Sequence, residues 1–146
     1  MHLELPVQLL DAGLPAPAYA HAGDAGLDLY ARTSVELAPF ERGLIPTGVA
    51  VSIPAGYAGF VQPRSGLAIK RGLSFVNTPG LIDSGYRGEI SIIAINLDPT
   101  ETLHIERGER IAQLVLQPVA TASVRVVDSL DATVRGAGGF GSTGVS

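Results

Sequence analysis

The sequence predicts an all-β sandwich or barrel, and three observations carry that prediction. Eighteen glycines and ten prolines punctuate 146 residues, nearly one position in five, which leaves little uninterrupted chain for helices. Between them lie short runs rich in β-branched residues. Several alternate apolar and polar side chains at period two, as in Thr102-Leu103-His104-Ile105-Glu106, the pattern of a half-buried strand. Turn signals return about every 8–12 residues, the spacing of a sandwich or barrel.

Taken along the chain, the strand-forming runs are "GVAVSIP" from Gly48, "FVQP" from Phe60, "LSFVN" from Leu73 and "EISIIAINL" from Glu89. They continue with "ETLHIER" from Glu101, "IAQLVLQPV" from Ile111 and "SVRVV" from Ser123. One stretch reads as helix: "SGLAIKRG", with Ser65 as N-cap and Gly72 as the stop, long enough for roughly two turns. After Val127 the composition shifts. "DSLDAT" is polar, and the last ten residues but two read "RGAGGFGSTG", half of them glycine. Residues 1–127 are therefore expected to form one β-domain and residues 128–146 an arm leaving it.

Composition narrows the function. Hydrophobic residues make up 46% and charged residues 16%, a globular balance with enough apolar material for one core. A net charge of −4 argues against a nucleic-acid binder driven by phosphate neutralisation. With no cysteine, disulfides, thiolate catalysis and cysteine-containing zinc sites are excluded. His2, His21 and His104 are scattered, without the i, i+4 pair of a histidine metal site. A magnesium site of carboxylate and water stays open. The N-terminus carries Glu4 and Pro6 and no basic residue, unlike a signal peptide. Ile90 to Leu97, the most apolar stretch, is far too short to span a bilayer. A soluble, cytoplasmic chain with no membrane partner is expected.

Five stretches carry chemistry. In "PRSGLA" (63–68), Arg64 presents a planar fork of donors suited to phosphate, and Ser65, Gly66 and the amides beyond them open a helix; an ordinary capped helix with a surface arginine fits as well. In "NTPGLIDSGYRGEI" (77–90), two apolar segments flank "DSGYRG", a β-hairpin pattern. Asp83 follows Leu81 and Ile82 directly, so partial desolvation would tune it as a general base for water; a turn aspartate bonding its own backbone is the competing reading. Tyr86, one of eight aromatics, sits in a turn, a poor place for a core side chain and a fair one for a ligand contact. In "AGDAGLDLYA" (22–31), Asp24 and Asp28 lie four apart before a strand, arranged for a hydrated magnesium ion or merely for capping a loop. In "RGERIAQLVL" (107–116), Gln113 is polar amid Ile111, Ala112, Leu114, Val115 and Leu116, and is either on the exposed face or kept for a specific hydrogen bond. The tail's "GFGSTG" has neither the strand–helix context of a dinucleotide fingerprint nor the lysine of a P-loop; it offers Arg135 for anions, Phe140 for stacking, and Ser142 and Thr143 beside free amides.

In this order, "AGDAGLDLYA", "PRSGLA", "GLIDSGYRGEI", "RGERIAQLVL" and "RGAGGFGSTG" resemble the five motifs of the trimeric dUTPase family, covering residues 20 to 144. The resemblance implies a jelly-roll-like β-barrel or sandwich with one short helix and a flexible C-terminal arm. It implies a homotrimer with active sites at subunit boundaries, and magnesium-dependent hydrolysis of dUTP to dUMP and pyrophosphate, which limits uracil in DNA and supplies dUMP for thymidylate synthesis. Asp83 matches the base that activates water, and Asp28 the acid that holds magnesium through water. Arg64, Ser65 and Gly66 match the phosphate-binding turn, and Gln113 a residue near the phosphates and the attacking water. Asn77 and the backbone at Leu81 and Ile82, with Ser91 on the return strand, match the groups that read uracil. Tyr86 matches the ring packed on deoxyribose. Phe140 matches the ring that stacks on the base, while Arg135, Gly141 and Ser142 match the arm's phosphate contacts. Asp24 falls at a variable position and is given no metal role. Two alternatives share this fold: a dCTP deaminase or bifunctional deaminase–diphosphatase, whose catalytic glutamate would have Glu89 as its nearest counterpart, and a non-catalytic nucleotide-binding module, which would have lost the base or the arm.

Overall fold

Strand follows strand through the computed structural model, which describes residues 2–144. In chain order the elements are β1 (Val7–Leu9), β2 (Gly26–Tyr30), β3 (Val35–Leu37), β4 (Arg42–Pro46), β5 (Val49–Val51) and β6 (Tyr57–Pro63). They continue as α1 (Ser65–Arg71), β7 (Leu73–Phe75), β8 (Gly80–Ile82), β9 (Ser91–Asn96), β10 (Leu103–Ile105) and β11 (Arg110–Pro118). All ladders are antiparallel: a four-stranded sheet β2-β11-β6-β8, a three-stranded sheet β4-β9-β7, and the pairs β1-β5 and β10-β3. This mostly-β architecture is jelly-roll-like, as expected.

Alternation decides which face of each strand enters the core. On β2, Leu27 and Leu29 are buried inward, and on β11 Ile111, Ala112 and Leu114 meet them. Ile45, Ile92, Leu73 and Phe75 close the core from the three-stranded sheet. Two buried polar groups tie loops to this core with satisfied hydrogen bonds. The Asn96 amide donates to the carbonyls of Leu37 (2.9 Å) and Glu101 (2.8 Å) and accepts from the Asp98 amide (2.9 Å). The Thr47 hydroxyl donates to the Ile90 carbonyl at 2.6 Å, which fixes the start of β9.

Three expectations need correction. The run "SVRVV" forms no strand; Val124 and Val126 are 90% and 93% exposed, because no ladder partner lies beside them and β-propensity without pairing yields no strand. The last strand ends at Pro118, and every residue from 117 to 144 is exposed. Residues 77–90 do not make a two-stranded hairpin ladder: β8 pairs with β6, while β9 pairs with β4 and β7, so residues 83–90 cross between two sheets. Ser65 is the first helical residue rather than the cap. Arg64 holds the capping position in extended conformation, without a side-chain cap bond. Gly72 does end the helix, at φ 69°, and a Cβ there would stand 2.7 Å from the Asp98 amide nitrogen, so the turn admits only glycine. The short strands β1, β3 and β4 gave no clear pattern, being three to five residues long with Gly43 and Pro46 inside β4.

Candidate active site

The predicted residues assemble into two separate groups, each built by a different ladder, and a third set stays on the arm. In the first group, Asp28 of β2 stands opposite Gln113 of β11, which stands opposite Gln62 of β6. Directly opposed residues share a face, and this one is turned away from Leu27 and Leu29. Asp28 is 4% exposed. Arg110, at the mouth of β11, donates to Asp28 Oδ2 at 3.1 Å. Arg64 reaches across from the β6–α1 junction, its Nε 3.9 Å from Asp28 Oδ1 and its terminal nitrogen bonded to the Arg110 carbonyl at 3.2 Å. Gly26 makes room for the glutamine: a Cβ there would lie 2.9 Å from Gln113 Cβ, so Gln113 rests over the bare backbone beside the acid.

One detail bears on a cation. Asp28 Oδ1 is buried and has no hydrogen-bond partner, a state costly for a carboxylate oxygen unless something else engages it. Among the described residues no three acids or histidines converge. A single open carboxylate fits a hydrated magnesium ion, whose other ligands are water and phosphate oxygens. Asp24, by contrast, is a turn acid: its Oδ2 accepts the His21 amide at 2.9 Å.

The second group lines a cavity of about 390 Å³. Leu81, Ile82, Asp83, Tyr86 and Ser91 form one side, and Leu44 and Ile93, a cross-strand pair of β4 and β9, form an apolar wall. Asp83 is exposed in the single chain, not partly desolvated as its apolar neighbours imply, because β8 ends at Ile82 and the chain leaves the sheet there. The Asp83 carbonyl accepts the Tyr86 amide at 3.0 Å, closing a tight turn. Tyr86 is 43% exposed, and its hydroxyl donates to the Glu89 carbonyl at 2.9 Å. Asn77 lies exposed in the β7–β8 connection, its amide nitrogen beside Gly80. Since β8 pairs only on its β6 side, its other backbone edge is unpaired, an alternating row of donors and acceptors.

Glu89 also borders this cavity, with one carboxylate oxygen tied to the β-domain. Its Oε1 accepts from Arg32 at 3.0 Å and from the Gly48 amide at 2.8 Å, and Arg32 also bonds the Leu10 carbonyl at 3.1 Å. Nearby, Arg107 clamps Asp11 at 2.6 Å, and that hydrogen bond, reinforced by the Gly13 amide, holds the Asp11 carboxyl well below the usual carboxylate range. Both are fastenings of the β-domain.

The two groups do not meet within one chain. The cavity holding Asp83 takes none of Asp28, Arg64 or Gln113 into its lining. Asp28 lies three strands from β8, about 14 Å laterally. Extending the β6–β8 register puts Asp83 opposite Ala58, four residues from the Gln62 row, about 13 Å along the strand. On the arm, Arg135 Nε bonds the Gly138 carbonyl at 2.9 Å, Ser142 and Gly144 close local turns, and Phe140 is fully exposed. Gly136 and Gly141 stand at φ 57° and 88°, conformations that favour glycine. Sequence reasoning passed over Arg110, Gly26 and Gly88; only the three-dimensional neighbours reveal what each supports.

A β-scaffold that sets a buried acid beside two arginines, with a second carboxylate in a half-apolar cavity, has the charges and the space of a site for a small anionic molecule. The sequence model of the dUTPase family matches residues 13–144, and the chain belongs to that family. It is 58% identical over 130 residues to the deoxyuridine 5'-triphosphate nucleotidohydrolase of Cutibacterium acnes, covering 89% of this chain and 86% of that relative. Its fold is similar to that of the dUTPase of Staphylococcus bacteriophage 80alpha bound to dUpNHpp, with TM-score 0.89 and 36% identity over 97% of this chain and 99% of the other. A variant dUTPase from phage phi11 of S. aureus, described for its coordination of a structural Mg(II) ion, superposes with TM-score 0.80 and 32% identity, covering 87% of this chain and 98% of that one. Among the described residues no helix is long and apolar enough to cross a membrane.

Proposed function

We propose that the chain hydrolyses dUTP to dUMP and pyrophosphate in the cytoplasm, limiting uracil in DNA and supplying dUMP for thymidylate synthesis. The observation that carries this reading is the carboxylate of Asp83 at the lip of a cavity whose wall is an unpaired strand edge. Uracil presents an N–H between two carbonyls, and the free edge at Leu81 and Ile82 offers complementary groups, with Asn77 and Ser91 at its margins. Fixed donors and acceptors reject cytosine because a mismatched edge would leave buried polar groups unpaired. Tyr86 packs on the deoxyribose and leaves no room for a 2′-hydroxyl.

Asp83 takes a proton from water as its oxygen attacks the α-phosphorus; the bond from that phosphorus to the bridging oxygen breaks, and pyrophosphate leaves. Arg64 and Arg135 hold the charge that collects on the phosphates, Ser65 and Gly66 supply amides, and Gln113 orients groups beside the α-phosphate. Asp28 would hold a magnesium ion, with Arg110 keeping its Oδ2 in place; when bound, the ion would supply charge neutralisation to the phosphates.

The separation of Asp83 from Asp28 supports active sites shared between copies, in a homotrimer whose subunit boundaries bring the two groups together. Residues 128–146 act as an arm: Phe140 stacks on uracil and Arg135, Gly141 and Ser142 close over the phosphates, at an entropic cost met on binding. Val145 and Ser146, the last of that range, lie outside the described residues. The deaminase alternative is disfavoured because its nearest glutamate, Glu89, has Oε1 held by Arg32 and the Gly48 amide; the binding-module alternative is disfavoured by the presence of Asp83, Tyr86, Arg135 and Phe140. Pyrophosphate release from dUTP, UTP, dCTP and dTTP, with and without magnesium, tests the reading. Release from dUTP alone, lost without the metal, is expected, whereas ammonia from dCTP or equal rates on UTP would overturn it.

A further inference from the structure

Tyr86 is held by a seat, and the seat contains a glycine for a reason unrelated to turn geometry. Gly88 lies outside the left-handed region, so no positive φ calls for a glycine there. Yet a Cβ at that position would stand 2.5 Å from the Tyr86 hydroxyl oxygen, 2.7 Å from Cζ and 3.1 Å from a ring-edge carbon. The outer half of the phenol ring therefore lies directly over the bare Cα of residue 88. Its hydroxyl reaches past Gly88 to donate to the Glu89 carbonyl at 2.9 Å. Residue 89 is itself pinned to the domain, its carboxylate held by Arg32 and by the Gly48 amide. Ile90 next to it is buried and bonded through its amide to the Val49 carbonyl at 2.8 Å.

We infer that Gly88 and the pinned carbonyl of Glu89 are positioning groups that set discrimination between deoxyribose and ribose, by fixing the ring of Tyr86 across the turn. The inference rests on the reading of Tyr86 as the ring that meets the sugar. The ring is 43% exposed. With a Cβ in that seat, or without the hydroxyl anchor, it would leave this position for other staggered rotamers, and a displaced ring cannot exclude one extra hydroxyl. An alanine at 88 is absorbed by displacing the tyrosine, the movable partner of the clash.

The experiment is a double-mutant cycle read as the ratio of kcat/KM on dUTP to kcat/KM on UTP, for wild type, Gly88→Ala, Tyr86→Ala and the double variant, each with its melting temperature. Tyr86→Ala should lower the ratio strongly. Gly88→Ala should lower it by about tenfold at nearly unchanged melting temperature, and should lower it no further in the Tyr86→Ala background, as expected for coupled neighbours. If Tyr86→Ala leaves the ratio intact, the sugar-contact reading of Tyr86 fails. If Tyr86→Ala lowers it but Gly88→Ala does not, or lowers it equally in both backgrounds, the seat is refuted and that reading stands. Should Gly88→Ala fold poorly, Tyr86→Phe, which keeps the ring and removes only its anchor on Glu89, decides the same question: a ratio reduced severalfold supports the seat, and an unchanged ratio overturns it.

Discussion

Two acids in this molecule face opposite circumstances. Asp28 is in the middle of a ladder, buried, held by Arg110 and approached by Arg64. Asp83 hangs from the end of an edge strand, exposed, with only a local turn behind it. The ladder prearranges the first, so in the proposed site the side that would meet phosphate and metal needs little ordering when ligand arrives. The second gains its working environment only when substrate and neighbouring surfaces cover it. Desolvation raises the basicity of a carboxylate, and closure strengthens every charge interaction inside the site. The proposed division is thus between a rigid charge cradle and a base that becomes effective on closure.

The sharpest way to break this division is Asp83→Asn. It keeps size and loses the base, so kcat on dUTP should fall by roughly 10²–10⁴-fold, with nucleotide binding, followed by titration calorimetry, nearly unchanged. Near-normal turnover would remove Asp83 from the mechanism. Truncation at residue 134 leaves both acids untouched and takes away the proposed cover. Turnover should drop on the order of 10²-fold, while the truncated protein melts as the full one does, since the arm's hydrogen bonds are local turns. Full activity without residues 135–146 would make the arm dispensable. Asp28→Asn is expected to be milder: at saturating magnesium much of kcat survives, but half-maximal activity should require about 10–100-fold more metal. An unchanged metal requirement would mean that the open Oδ1 serves something else.

Much of the fold could be read from residues alone, where pattern and pairing agree. Strands β9 and β11 are evident from their apolar runs and β6 in part from "FVQP", as is Gly72 at the end of α1. "SVRVV" carries a similar pattern and forms no strand, because a strand needs a neighbour and the chain brings none. The segment around "DSGYRG" has the turn chemistry of a hairpin, yet its flanks find better partners in β6 and in β4 and β7, a tertiary preference that local sequence does not encode. In the site, the polar side chains were visible as outliers in apolar or glycine-rich stretches. Their supports were not: Arg110 meets Asp28 across 82 positions of sequence, and Gly88 looks like any turn glycine until the Tyr86 ring is placed above it.

The central claim, that Asp83 of one copy works with Asp28 and Arg64 of another, is tested most directly by mixing two disabled chains. Asp83→Asn and the double variant Asp28→Asn/Arg64→Ala would be co-expressed with different tags and purified through both tags. If sites are shared between copies, some sites of the mixed assembly combine intact halves, and dUTP hydrolysis should rise far above that of either parent. If every site is built from one chain, each still carries a defect, and mixed assemblies no more active than their parents would contradict the account.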